Sequence, residues 1–325
     1  MNKTLDLVSL GEAVVEVFRK NVDESLSEPF DFIGPYPSGA PAITTDTMAK
    51  LGGRCAFLAA VGHDDFGECV VSRLKRDGVD VTGMRFLDRT ITGIAFTSYA
   101  SDGSRKFIFN FTTAATAAFA PEHLDEEKIQ RAKWLHISGN VMAFSENSRR
   151  AVLRACEVAQ AAGTKISFDP NIRLEIMDRN HLLALFAPVL QRASLVIPSQ
   201  GELTMIFSGM EEEKARAELF AYGVETVVCK EGEQGCTMYF AGAQPLHVPA
   251  MQWVREVDAT GCGDAFCAGL LYGMIQGWDA RKCGLFANAV GGVTAMQKGA
   301  MEGLQHIQDV YGLLKRNGVA NFFNL

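Results

Sequence analysis

Between residues 134 and 230, short apolar runs alternate with stretches of helical length. This alternation restricts the fold more than any other feature of the chain. Trp134-Leu135-His136-Ile137, Lys165-Ile166-Ser167-Phe168, Leu195-Val196-Ile197-Pro198 and Thr226-Val227-Val228-Cys229-Lys230 read as strands. Helical patterns cover about 148–162, 181–191 and 211–221. Strands with little polar alternation are covered on both faces, and strand–helix–strand repetition predicts a parallel sheet between two helical layers. Ligands in such sheets bind beyond the C-terminal ends of the strands, so the residues just after each strand are the informative ones.

The N-terminal part adds a buried first strand over 6–10 ending at Gly11, and an apolar strand over 55–61. Gly11-Glu12-Ala13-Val14-Val15-Glu16-Val17 is not the G-x-G-x-x-G of a dinucleotide fold. Alternation through Val15 and Val17 predicts a second strand that departs from the main sheet. From the residues alone, Glu16 on it reads as a surface carboxylate on an edge strand. Residues 36–42 form a turn cluster leading into a helix over 43–51, and 93–100 and 106–110 flank Ser101-Asp102-Gly103-Ser104 as a hairpin. Asp65 is the expected cap of the helix carrying Val70, Val71 and Leu74, and His63 a turn residue. The uncharged run over 112–118 reads as a close-packed hinge segment.

Chemistry concentrates at Asp258-Ala259-Thr260-Gly261-Cys262-Gly263-Asp264-Ala265-Phe266. A strand over 251–257 is expected before it and a small-residue helix over 265–274 after it. Strand, glycine turn and helix N-terminus together aim free amides and a positive dipole end at one point, which holds an anion without a basic side chain. Gly261 and Gly263 allow positive φ and close approach. A carboxylate beside an anion hole repels the anion, so Asp264 makes chemical sense as a base taking an alcohol proton while the hole stabilises a phosphoryl group. A plain helix-capping Asp is the alternative. Cys262 sits where a thiol pKa can be lowered, although a small filler fits as well.

Composition narrows the partners. The net charge of −7 and the absence of a basic run argue against nucleic acid or an anionic membrane, and no stretch has the length of a spanning helix. Eight scattered cysteines without a C-x-x-C pair read as reduced thiols. With no signal-peptide profile at the start, a cytoplasmic protein is expected.

The nine residues from Asp258 to Phe266 closely resemble the D-T-T-G-A-G-D-A-F signature of the ribokinase-like (PfkB) carbohydrate kinases, with Ala259 and Cys262 as small replacements. The resemblance implies an α/β ribokinase-like three-layer sandwich, a mostly parallel central sheet and a small β lid from about 13–37 and 92–112, all in one domain over 1–325. By the same resemblance Asp264 is the catalytic base, and the amides of Gly261, Cys262 and Gly263 form the anion hole. Glu16, Gly39, Ala40 and Asn110 would contact the sugar, and Arg173 would face the sugar or the transferring phosphate, with a plain surface arginine as the alternative. The segment around Gly39 departs from the family's G-G-A-x-x-N-x-A, with Ser38 for the first Gly and Ile43 where Asn is usual. Asp169-Pro170-Asn171-Ile172-Arg173 is very like the D-P-N-x-R of fructokinase-like and ketodeoxygluconate-kinase-like members.

Ser199-Gln200-Gly201-Glu202 resembles N-x-x-E, so Glu202 would hold Mg²⁺ through water; a Ser cap with a capping-box Glu is the bland counterpart. Ser199, Lys230, Gly232, Gly235 and Asn288 would border ATP. Asp258, Thr260 and Gly299 would contribute to a K⁺ site. Sugar-acid kinases place Tyr and Arg on the hairpin, where this chain has Ala95 and Asn110. The missing Arg argues against a carboxylate-bearing substrate, because a bidentate clamp is lost.

The implied activity is ATP-dependent phosphorylation of a primary hydroxyl on a small carbohydrate. A fructose-like ketose comes first and 2-keto-3-deoxygluconate second. A nucleoside kinase and a non-catalytic sugar-binding regulator are the alternatives. Exposed lid edges make a homodimer through the lid plausible. No Walker A sequence occurs, so a P-loop enzyme is excluded.

Overall fold

The computed structural model describes residues 2–323; positions 1, 324 and 325 of the expected domain lie outside the described residues. The chain opens with β1 (Leu5–Leu10), then leaves the main sheet for β2 (Val14–Arg19) and β3 (Phe32–Ser38). It continues through α1 (Ala40–Lys50), β4 (Cys55–Leu58), β5 (Ala60–Gly62), α2 (Asp65–Arg76), β6 (Arg85–Leu87), and the hairpin β7 (Gly93–Tyr99) and β8 (Arg105–Asn110). The alternating region supplies α3 (Ala115–Ala118), α4 (Glu126–Arg131), β9 (Ala132–Ser138), α5 (Glu146–Ala161), β10 (Lys165–Asp169) and α6 (Leu182–Leu190). After it come β11 (Leu195–Val196), α7 (Glu202–Ile206), α8 (Glu212–Ala221), β12 (Thr226–Lys230), β13 (Cys236–Phe240) and β14 (Leu246–Val248). Helices α9 (Cys262–Ile275), α10 (Ala280–Thr294) and α11 (Ile307–Arg316) complete the chain.

Eight strands form one sheet in the order β14-β13-β12-β11-β10-β9-β1-β4, parallel from β12 to β4 and antiparallel at β13 and β14. Successive residues of a strand serve opposite layers, as the two-residue side-chain period requires. Leu7 packs into the core under α9 and α10, while Val8 packs into the core under α5 and α6. This is the three-layer arrangement that the run of apolar strands predicts. A second sheet, β3-β2-β7-β8, is built from the two segments expected to form the lid.

Several local expectations change. Residues 251–257 form turns and irregular backbone instead of a strand, with Trp253 at φ 67° and 71% exposed. The sheet has already ended at β14, and nothing offers this segment a ladder partner. The apolar run over 55–61 breaks at Ala59, so that β4 joins the main sheet and β5 pairs with β6. In the 36–42 region β3 runs to Ser38 and α1 starts at Ala40, with Pro41 in the first turn, where a missing N–H costs nothing. Only Gly39 makes the turn: its φ is 113°, and a Cβ there would lie 2.3 Å from Glu12 O. Asp64, one residue before the expected cap, accepts from Gly67 N at 2.8 Å and caps α2. His63 is exposed, with its ring 3.5 Å from Asp88. The small-residue run over 112–118 contains the short, mostly buried α3. Among the described residues, no helix is long and apolar enough to cross a membrane.

Candidate active site

Five parallel strands deliver polar residues from their C-terminal ends to one cavity. Glu12 follows β1, Asn140 follows β9, Asp169 to Arg173 close β10, Ser199 and Glu202 follow β11, and Lys230 ends β12. The N-termini of two helices join them, α1 through Gly39 and Ala40 and α9 through Thr260, Gly261, Gly263 and Asp264. The lid roofs the cavity with Glu16, Ala95, Arg105, Phe107 and Phe109. A second cavity, walled by Gly232, Gly235, Met251, Val254, Phe266, Asn288 and Gly291, shares Lys230, Ala259 and Gly263 with the first.

Gly261 caps α9 in the left-handed conformation at φ 79°, and a Cβ there would lie 2.9 Å from that of Ala300. Gly263 lies inside the first turn and does not need positive φ. The Cys262 amide already donates to Ala259 O at 3.3 Å, so Gly261, Gly263 and Asp264 carry the amides that first-turn geometry leaves open. Burial pushes the Cys262 thiol up to about 12, which keeps it protonated and makes it a filler. Asp264 sits half-buried on this turn, and Thr44 Oγ1 donates to its carbonyl at 3.1 Å, joining α9 to α1. Burial, reinforced by the Asp169 charge, pushes the Asp264 carboxyl up to about 7; Lys230 and Arg173 pull the other way.

Glu16 is no edge carboxylate. Strand β2 is flanked by β3 and β7, and Glu16 is 3% exposed, accepting from Thr97 Oγ1 at 2.6 Å and Ser38 Oγ at 3.2 Å. Burial raises its carboxyl to about 7. Arg173 is exposed at the cavity. Asn110 departs from expectation: the two-residue period of β8 sends Arg105, Phe107 and Phe109 to the cavity, while Asn110 accepts from Thr113 Oγ1 at 2.7 Å away from it. The same register corrects the argument from a missing arginine, because Arg105 supplies a guanidinium that no carboxylate pairs among the described residues.

Glu202 is buried, and its two oxygens accept Ile172 N at 2.8 Å and Ser199 N at 2.7 Å. Gly201, not Ser199, is the N-cap of α7, so the Ser-capping reading fails while the Glu carboxylate still anchors the Ser199 amide. Burial and then Asp169 raise the Glu202 carboxyl. Asn288 lies on the wall of the second cavity, but its amide already donates to Val248 O and Pro249 O at 3.0 and 2.9 Å. Gly232 and Gly235 form the turn between β12 and β13. Asp258, Thr260 and Gly299 meet around one carboxylate, which accepts Thr260 N, Gly299 N and Tyr99 OH at 2.9, 2.9 and 2.6 Å. These bonds outweigh burial and lower its pKa.

Glu12, Asn140 and Arg105 are absent from the site residues that the sequence suggests. The rule that ligands lie beyond strand ends could have flagged Glu12 and Asn140, each two residues past a strand. Alternation along 105–109 could have flagged Arg105. Glu12 is 1% exposed and accepts Ala40 N at 2.9 Å and Asn140 Nδ2 at 2.8 Å, which fixes the start of α1 beside the cavity.

The arrangement suits transfer of an anionic group to an alcohol: a carboxylate on the first turn of α9, open helix-start amides and two adjoining cavities. The model of the pfkB family carbohydrate kinases matches residues 4–307. Fructokinase-1 from Oryza sativa subsp. japonica is 33% identical over 95% of this chain and 97% of its own length. An E. coli protein described as Ribokinase II, solved with ATP and Mg²⁺, superposes with a TM-score of 0.89 at 35% identity, covering 96% of this chain and 99% of that one. A fructokinase from Vibrio cholerae O395, solved with fructose, ADP and calcium, gives a TM-score of 0.80 at 26% identity over 95% and 99% of the two chains. The chain belongs to the pfkB family of carbohydrate kinases and is a phosphotransferase that uses an alcohol group as acceptor.

Proposed function

We propose that this kinase transfers the γ-phosphoryl group of ATP to a primary hydroxyl of a fructose-like ketose. The observation that carries the reading is the position of Asp264 beside Gly261 and Gly263, where the two cavities meet. The sugar occupies the cavity under the lid and ATP the one bordered by Lys230, Gly232, Gly235 and Asn288. Asp264 takes the hydroxyl proton, the acceptor oxygen bonds to the γ-phosphorus, and the bond to the bridging oxygen breaks to release ADP. The open amides stabilise charge on the phosphoryl group. Glu16, Gly39, Ala40 and Arg173 position the sugar. Among the described residues no set of three acidic, His or Cys side chains forms a cage, which suits Mg²⁺ held mainly by phosphates and water with Glu202 and Asp169 nearby. Mg²⁺ would supply charge neutralisation on the phosphates. The residues expected to hold K⁺ do meet, but the Asp258 carboxylate already accepts three hydrogen bonds, and we give that ion no step.

A 2-keto-3-deoxygluconate-like sugar acid is the second reading, favoured by the guanidinium of Arg105 in the cavity, which meets no carboxylate among the described residues. The phenylalanine wall beside it favours the neutral ketose. A homodimer through the lid is supported by the open edges β3 and β8 and by Phe32 and Ile108, 42% and 54% exposed. A cytoplasmic setting is supported by eight cysteines that all stay unpaired. ATP consumption measured across neutral ketoses, aldoses, sugar acids and nucleosides tests the reading, and turnover confined to nucleosides or absent throughout overturns it.

A further inference from the structure

Of the three residues that line both cavities, Lys230, Ala259 and Gly263, only Lys230 carries charge. A Cβ on Gly263 would lie 3.5 Å from Lys230 Nζ, so an anion seated on the open amides sits beside this ammonium. Lysine reaches such a point on a flexible four-carbon stem, and fixing it costs rotamer entropy at the moment of reaction unless a partner fixes it beforehand. That partner is Asp169. Lys230 ends β12 and Asp169 ends β10, with β11 between them. Strand β11 has only two residues, so the ion pair of Lys230 and Asp169 reaches past its end.

The Asp169 carboxylate is itself immobilised from three directions. It is 2% exposed, accepts Asn171 N at 3.1 Å, and receives Cys267 Sγ of α9 at 3.3 Å together with the Lys230 ammonium. We propose that Asp169 is a positioning residue for phosphoryl transfer. It holds the Lys230 ammonium at the junction of the cavities, where the cation meets the phosphoryl group between nucleotide and acceptor. The ammonium keeps its three protons throughout; the hydroxyl proton still goes to Asp264. This rests on the phosphotransfer reading above but not on the identity of the sugar.

The test is a double-mutant cycle of Asp169→Asn and Lys230→Met on the full chain. Calorimetric affinities are measured for a non-hydrolysable ATP analogue and for ADP, with no sugar present. Each single variant is expected to weaken the ATP analogue about 10-fold and ADP less than about 2-fold, and the double variant to be no worse than the poorer single one. On any substrate the wild type turns over, each single variant lowers kcat about 10²-fold, again without additivity. Equal losses for the analogue and ADP, or losses that add in the double variant, overturn the proposal. Should Asp169→Asn fail to fold with a lone buried ammonium, Asp169→Glu takes its place. That change keeps the charge but shifts it, and an unchanged ATP-to-ADP preference in it overturns the proposal. A sugar panel that excludes ketoses overturns the earlier assignment alone, because the binding arms need no sugar.

Discussion

Tyr99 donates its hydroxyl to Oδ1 of Asp258 across 2.6 Å, fastening the end of lid strand β7 to the first residue of the glycine turn. The same hydroxyl lies 2.8 Å from Thr260 Oγ1. A side-chain bond to a charged acceptor contributes on the order of 1.5–3 kcal/mol. Tyr99→Phe removes the only polar atom of the ring and keeps its stacking on Phe18, whose centroid is 5.9 Å away. We expect kcat/KM for the sugar to fall roughly 10-fold, with a smaller effect on ATP binding. Steady-state kinetics varying each substrate in turn check this, and equal effects on both substrates would detach the lid from sugar capture.

Asp264→Asn removes the proposed base while preserving shape, and kcat should drop by about 10²–10⁴ with both ligands still bound. Burial pushes the wild-type carboxyl up to about 7. A base works ionised, so kcat should rise with pH through that region and level off above it. A flat profile from pH 5 to 9, or turnover within a few-fold in the variant, rules out the assignment.

Glu16→Gln replaces a buried carboxyl raised from 4.5 to about 7. A raised carboxyl favours the folded state below its ordinary pKa and loses that contribution as pH climbs through the folded value. The wild-type Tm should therefore decline between about pH 4.5 and 7 more than that of the variant. The sugar KM should rise about 10-fold in the variant with kcat nearly kept. Parallel thermal melts and kinetics decide both points.

Gly261→Ala places a Cβ at φ 79° against Ala300. Left-handed backbone costs an ordinary residue about 1–2 kcal/mol, and the turn must shift to relieve the contact. Displacing one open amide of the cradle should lower kcat by about 10²-fold, with Tm falling a few degrees. A loss confined to Tm would mean that the amides do not touch the transferring group.

Arg105→Met separates the two substrate readings. For a neutral ketose the sugar KM should change less than about 3-fold, because no anionic substituent is lost to a guanidinium. A rise of about 10²-fold on a sugar acid, with ketoses poor throughout, would reverse the preference.

Much of the site was legible in the residues themselves. Asp264 and its glycines announce a helix N-terminus with a carboxylate on it, and strand–helix alternation puts the relevant residues at strand ends. Side-chain direction was harder to read. Asn110 and Arg105 lie five positions apart on one strand, so they face opposite ways, and the register that sends Arg105 inward depends on pairing with β7. Asn288 lines the second cavity, yet its amide is engaged by Val248 and Pro249, about forty residues away in the chain.

Local chemistry in the sequence determined the layers, the glycine turn and the carboxylate beside it, because apolar period, missing Cβ atoms and a helix-start acid act over a few residues. The tertiary structure decided how charges that are remote in sequence share space. Lys230 meets Asp169 past the end of a two-residue strand, and Glu16 is buried beneath a lid drawn from two separate segments. Burial strips water from those groups and brings their fields within reach of one another, and neither condition exists until distant segments pack.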